Sequence, residues 1–482
     1  MSIAKGIRIE LMCLGLAFAA ICLLSFDYEI NFPHSEVYQI FNPCIFEMGA
    51  ALQTSDLKTA LHPCMEGYTD RVRFYNWFSW VLNAKFRYWL FEFVPFHPSV
   101  SLNWLMTLFL LPLSVYLLVK EITKESRPAL LAAAAFLLSP GNLSMHTMYF
   151  HAAKPAATLG LAICLWLTAR LRRVEHFKLK STIPLFLAIC ASLFWDEIFY
   201  VYFLIAPIMF FELFRNRKSG LRLMFNYSAC LLVFLGFAGI LVPALMKEYW
   251  NYDFDFFKYA FSTNSGLADL SLKSVGYNIW SLFSTHIDPF IAEGVSYKWR
   301  PGEWSLVLFA LFSIIAALPL FFRRRQEKYP AILLSIFAFI VFQQLVLTRR
   351  DGQLMYGAFY WGSSFSLLFA LWFGIFLSNL DKKRWSRIAS VLFLAFFCYA
   401  GYQNNRAASI GHIQGMLKSP LIHEAGFAPP KEGFLDSKQI RTVWINKDAF
   451  EKVKTTLMDY PTSAYWLYYE ALLRSPKAHP LF

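Results

Sequence analysis

"SLNWLMTLFLLPLSVYLLVKEITKESRPALLAAAAFLLSP", residues 101–140, decides the fold. From Ser101 to Val119 there is no charged residue. Charges then crowd into "KEITKESR", and the chain turns apolar again from Pro128. A bilayer core about 30 Å thick is crossed by about 20 residues of helix. Lipid leaves only helices or closed barrels as spanning structures, because no water is there to satisfy the backbone. Long, nearly uncharged runs on either side of a short charged loop therefore read as two membrane-crossing helices.

Working outward, the same pattern recurs along the chain. The composition, 57% hydrophobic and 16% charged over 482 residues, excludes a soluble monomer built on one core. We expect an all-α polytopic membrane protein with eleven spans at about 7–25, 101–119, 129–148, 154–170, 181–195, 197–214, 224–246, 304–322, 329–347, 361–380 and 387–403. Across the boundary of the third and fourth spans "LLSPGNLSMHTMYFHAAKP" breaks the apolar run twice with proline, and only "WDE" separates the fifth and sixth. The first run follows Lys5 and Arg8 like a signal peptide. It continues through "ICLLS" past the cleavable "AFAA", and Ile21 is too bulky for a lipobox ahead of Cys22, so we read an uncleaved anchor.

The formal net charge of +13 does not indicate nucleic acid, because the basic residues sit in short loops between apolar runs. Those loops are "KGIR", "KEITKESR", "RLRRVEHFKLK", "RNRKSGLR", "RRRQEK" and "DKKRWSR". Short loops rich in Lys and Arg stay cytoplasmic. The N-terminus is then cytoplasmic, the C-terminus lies outside, and the bulk of the loops faces outward. This divides the chain into a transmembrane domain, 1–403, with long outer loops at 26–100 and 247–303, and a small outer segment, 404–482. Within that segment "IRTVWI" reads as a strand and "DAFEKVKTTLMDY" as a helix, a small α/β appendage. In the first outer loop, 71–93 sets Asn76, Ser79, Asn83 and Arg87 against Tyr75, Phe78, Leu82, Phe86, Trp89 and Phe93. Such a helix lies in the membrane interface. Cys44 and Cys64 share that loop, where an oxidising compartment permits a disulfide between them. The sequons at Asn142 and Asn226 fall in a membrane segment and at a cytoplasmic boundary, and we read them as chance.

Charge at the outer helix ends is the candidate chemistry. Asp27 and Glu29 follow the first span, and His146, His151 and Lys154 lie around the start of the fourth. Asp196 and Glu197 separate the fifth and sixth, and Arg349, Arg350 and Asp351 follow the ninth. Arg71 and Arg73 open the interfacial helix. A carboxylate accepts the proton of an attacking hydroxyl best where burial raises its pKa. Arginine and lysine stabilise the charge that develops on a departing phosphate. Together they suit transfer of a sugar from a lipid phosphate to a hydroxyl. No phosphate loop, nucleophile elbow or zinc motif is present, and the outward site excludes the cytosolic pool of nucleotide sugars.

The layout resembles the GT-C superfamily of membrane glycosyltransferases, which includes protein mannosyltransferases, aminoarabinose transferases of lipid A and phage-type O-antigen glucosyltransferases. The resemblance rests on "FDYEINF" after the first span, the 71–93 helix, the many spans and the outer bulk of 404–482. "DRVRFYNW" is also similar to a "GRFRP"-like segment of many such bacterial proteins. It implies an inverting transferase of the bacterial inner membrane that serves the cell envelope, for example in lipopolysaccharide biosynthesis. Its donor would be a polyprenyl-phosphate sugar and its acceptor a glycan or lipid-linked saccharide. Asp27 is then the base, with Glu29 as the alternative. Lys154, Arg349 and Arg350 hold the donor phosphate, helped by Arg71 and Arg73. Relatives often carry adjacent acids after the first span and another acid in the second outer loop. Here Tyr28 separates Asp27 from Glu29, and the second loop offers His146, His151 and Lys154 instead. That speaks against a metal-dependent two-acid mechanism, and no metal or other cofactor is expected. Asp196 and Glu197 are candidates to replace the missing acid, and His151 is a candidate accessory group. The other readings are an O-antigen-type polymerase or ligase and a lipid or glycan transporter.

Overall fold

The structure, a computed structural model, describes residues 105–139, 141–142, 153–171, 179–193, 195–196, 198–199, 202–203, 206, 228–229, 232–233, 235–250, 362–379, 388, 392, 395 and 399. The expected spans 7–25, 304–322 and 329–347, the interfacial helix 71–93, the Cys44–Cys64 pair and the 404–482 appendage lie outside the described residues. Among the described residues every regular element is helical, and no strand is present.

A π-helical turn, Leu105–Leu110, leads into α1, Leu111–Thr123. The change of winding falls just before Pro112, which has no N–H to give to the preceding turn. Helix α1 continues four residues beyond the expected end at Val119, into the charged loop. Lys120 makes this tolerable by folding back. Its Nζ donates to the Tyr116 hydroxyl at 2.8 Å and lies 5.1 Å from the ring centre. The helix stops at Lys124, whose φ of 63° is left-handed and whose N–H reaches the Lys120 carbonyl at 2.9 Å. After an extended Glu125 the chain enters α2, Ser126–Leu137. Of "KEITKESR", only Lys124 and Glu125 are non-helical.

Helix α2 ends well short of the expected 148. Pro140 disfavours helical geometry at Ser139 and supplies no N–H of its own. Ser139 closes the helix instead, its hydroxyl donating to the Phe136 carbonyl at 2.6 Å and its N–H to the same oxygen at 3.0 Å. Helical winding is found again at 141–142. Helix α3, Ala153–Leu171, falls where the apolar run predicts it, as do α4, Leu179–Ser192, and α6, Gly362–Asn379. A second π-helical turn, Phe237–Leu241, precedes α5, Val242–Trp250.

Helix α1 packs on α2, α3 and α6, and α4 packs on α3. The centre is filled by Leu111, Val115, Leu118, Ala129, Ala132 and Phe136, all buried. Gly374 lets α6 close on both α1 and α2. A Cβ there would sit 2.5 Å from Val119 Cγ1 and 3.1 Å from Ala132 Cβ. Small residues at such crossings let helices associate through close packing. Along α6 a row of rings, Phe365, Phe369, Trp372 and Phe376, stacks at centroid distances of 6.3, 5.9 and 5.6 Å.

Among the described residues, Met106–Thr123 is the helical stretch long and apolar enough to cross a membrane by length and composition. Ser126–Leu137, Thr182–Ser192 and Ser364–Ser378 are apolar but shorter. Ile183 and Leu187, one turn apart on α4, are exposed, as are Leu232, Ile240 and Leu245 before and within α5.

Candidate functional site

Lys154 and Asp196 are the sequence-predicted site residues that fall among the described residues. Asp27, Glu29, Arg71, Arg73, His146, His151, Glu197, Arg349 and Arg350 lie outside them.

Lys154 is the second residue of α3. Helices α3 and α4 run antiparallel: Gly160, in the first half of α3, abuts Ser192 at the end of α4, and the link 172–178 is too short to carry the chain back for a parallel run. A Cβ on Gly160 would lie 2.5 Å from Ser192 Cβ and 3.6 Å from the Phe199 ring. The chain beyond α4 therefore turns at the end of the hairpin where Lys154 begins α3. Asp196 makes that turn. Its Oδ1 accepts the Ile198 N–H at 3.1 Å, and its carbonyl accepts the Phe199 N–H at 3.1 Å. An Asp side chain that engages the backbone two residues on is a turn former. Trp195 anchors the near side through Nε1–H to the Ala191 carbonyl at 3.0 Å. The chain then returns along α3: Phe199 lies beside Gly160, and the Tyr202 and Thr168 hydroxyls are 2.8 Å apart. Trp195 and Asp196 thus lie at a tight reversal of the chain.

The two ends of this bundle differ in how they treat charge. At the Lys154 end, Lys154 is 0% exposed and Asp196 is 1% exposed. Where α1 meets α2, and at the far end of α3, Lys124, Arg127 and Arg170 are exposed. Arg170 lies over the Trp166 ring at 5.9 Å, and Lys124 pairs with Glu121 at 2.9 Å. Removing a charge from water costs several kcal/mol. A fold spends that only where the surroundings return it or where function uses it. A buried ammonium can hold an anionic oxygen. A buried carboxylate can accept a proton or face a cation.

Asn142, which the sequence offered only as a chance sequon, has a structural role. Its amide is fully buried, donating through Nδ2 to the Thr107 carbonyl at 3.0 Å and to the Leu137 carbonyl at 3.2 Å. Its N–H bonds Ser139, and its Oδ1 has no hydrogen-bond partner. The sequon at Asn142 therefore sits on a nitrogen already committed to two carbonyls. The signal that was available is the asparagine two residues beyond a helix-breaking proline, a place where side chains replace backbone bonds.

Among the described residues no three His, Cys, Asp or Glu side chains gather as a metal would need. No family model matches the chain, and neither a curated protein nor a solved structure matches it.

Proposed function

We propose that the chain is an inverting membrane glycosyltransferase with a GT-C-like arrangement of eleven spans. It moves a sugar from a polyprenyl phosphate to a hydroxyl on a glycan or lipid-linked acceptor at the outer face of the bacterial inner membrane. The observation that carries this reading is the burial of Lys154 and Asp196 at one end of the α3–α4 hairpin, opposite an end where Arg170 is exposed. Exposed basic groups mark the cytoplasmic side. The buried charges then lie at the outer membrane boundary, where a lipid-borne donor and a water-borne acceptor meet.

In this reading Asp27, or Glu29, takes the acceptor proton. The acceptor oxygen forms its bond to the anomeric carbon from the face opposite the leaving group, and the carbon–oxygen bond to phosphate breaks with its electron pair. Lys154, Arg349 and Arg350 receive that negative charge, with Arg71 and Arg73 at the interface. Asp196 is the candidate for the second acid. Preorganised cations in a water-poor site stabilise such charge without reorganising at the moment of reaction.

The test uses membranes containing the full chain, a panel of polyprenyl-phosphate sugars and a lipid-linked saccharide acceptor. Transfer is expected with one donor, and Asp27→Asn should slow it by about 100-fold or more. Lys154→Met should also reduce it while leaving membrane insertion intact. Absence of sugar release from every donor, or full transfer by Asp27→Asn and Glu29→Gln together, would sink the reading.

A carrier is the second reading, favoured by the break of α2 at Ser139 and the π-helical turn at Leu105–Leu110, since carriers use interrupted helices. A carrier moves its lipid-linked saccharide intact, so product analysis separates the two: cleavage of the sugar–phosphate bond marks the transferase.

A further inference from the structure

The geometry points to Asn142 as the positioning residue that closes the outer end of the bundle over Lys154. Three elements that need not end together are joined by one amide. Nδ2 donates at 3.0 Å to the Thr107 carbonyl in the π-helical turn and at 3.2 Å to the Leu137 carbonyl at the end of α2. The Asn142 N–H meanwhile holds the Ser139 carbonyl at 3.1 Å, across the proline that breaks the helix. The carbonyls left open where α2 stops need donors, and buried backbone groups are nearly always paired. Asn142 supplies one of these donors from beyond the break and carries its second proton to the π-helical turn that leads into α1.

The orientation of the amide is not interchangeable. Turned over, Oδ1 would face two carbonyl oxygens, so the two donated bonds fix which atom points where. The fold keeps this arrangement although Oδ1 is left buried with no partner. The Leu105–Leu110 turn also packs against α3, the helix that Lys154 begins. This inference rests on the proposed membrane topology, in which the chain leaves the third span and enters the fourth on the outer side, so that Asn142 and Lys154 belong to the same end. Asn142 then acts through the joint it holds and does not touch the substrate.

The test reads position without needing any transfer activity. In the full-length protein in detergent, Lys154→Cys is labelled with a small maleimide, and modification at each cysteine is resolved by mass spectrometry. Native Cys164, fully buried deeper in α3, is the internal control. With Asn142 present, position 154 should stay protected. Asn142→Asp, which sets a carboxylate against two carbonyls, and Asn142→Ala, which removes both donors, should each raise labelling at 154 by roughly tenfold while Cys164 stays protected. Unchanged labelling at 154 in both variants would overturn the proposal. So would equal rises at 154 and Cys164, because Asn142 would then hold the whole bundle and not its outer end. If labelling behaves as expected but no donor is turned over, the glycosyltransferase reading fails and the role of Asn142 stands.

Discussion

Gly160 meets Ser192 so closely that a methyl group on the glycine would lie 2.5 Å from the serine Cβ. That contact sets the distance between α3 and α4 just ahead of the Asp196 turn. It needs one residue without a side chain opposite one with a short side chain. The Ser192 hydroxyl can turn back to the Ala188 carbonyl at 2.6 Å, so it stays satisfied in the crowded space.

Gly160→Ala should therefore destabilise the protein by about 1–3 kcal/mol, the usual cost of overpacking a tight contact. The check is the thermal midpoint of the purified protein in detergent. Ser192→Gly in the same chain should recover part of the loss, since it removes the serine side chain that crowds the new methyl. No recovery in the double variant would place the strain elsewhere.

The second close crossing behaves differently, because its obstacle is a side-chain tip. A methyl on Gly374 meets Val119 Cγ1 at 2.5 Å, and Val119→Ala clears it. Gly374→Ala alone should lower stability by about 1–3 kcal/mol. The pair Gly374→Ala and Val119→Ala should lie closer to the wild type than the sum of the single changes, a coupling that a double-mutant cycle measures.

Thr168 and Tyr202 share a buried hydroxyl contact at 2.8 Å, and the Thr168 hydroxyl also reaches the Cys164 carbonyl at 2.7 Å. Thr168→Val and Tyr202→Phe should show a favourable coupling of about 0.5–1.5 kcal/mol, the ordinary net worth of one hydrogen bond. Strictly additive effects would mean that the two hydroxyls contribute independently.

Asp196 separates structure from chemistry. Asp196→Asn keeps an oxygen for the Ile198 N–H, so the turn and the thermal midpoint should persist. The charge is lost, and transfer should slow by about tenfold, which corresponds to about 1.4 kcal/mol in the barrier. Asp196→Ala should lower both quantities, by about 1 kcal/mol in stability from the lost bond. Undiminished transfer by Asp196→Asn in the same membranes would remove Asp196 from the reaction.

Hydropathy alone placed helices α3 and α6 to within a residue or two at each end, because a long apolar run bounded by charged residues winds most readily as one buried helix. It erred where side chains changed the boundary. Lys120 lay back on Tyr116 and carried α1 into its loop, and Pro140 with Ser139 stopped α2 early. The type and approximate extent of those helices were thus determined by the order of residues, since helix formation acts over short stretches of chain. Only the tertiary structure decided that Lys154 and Asp196 are buried at the same end, that Gly160 faces Ser192, and that Asn142 bonds a carbonyl thirty-five residues away. Burial and partnership depend on which distant segments pack together, and no local pattern records that.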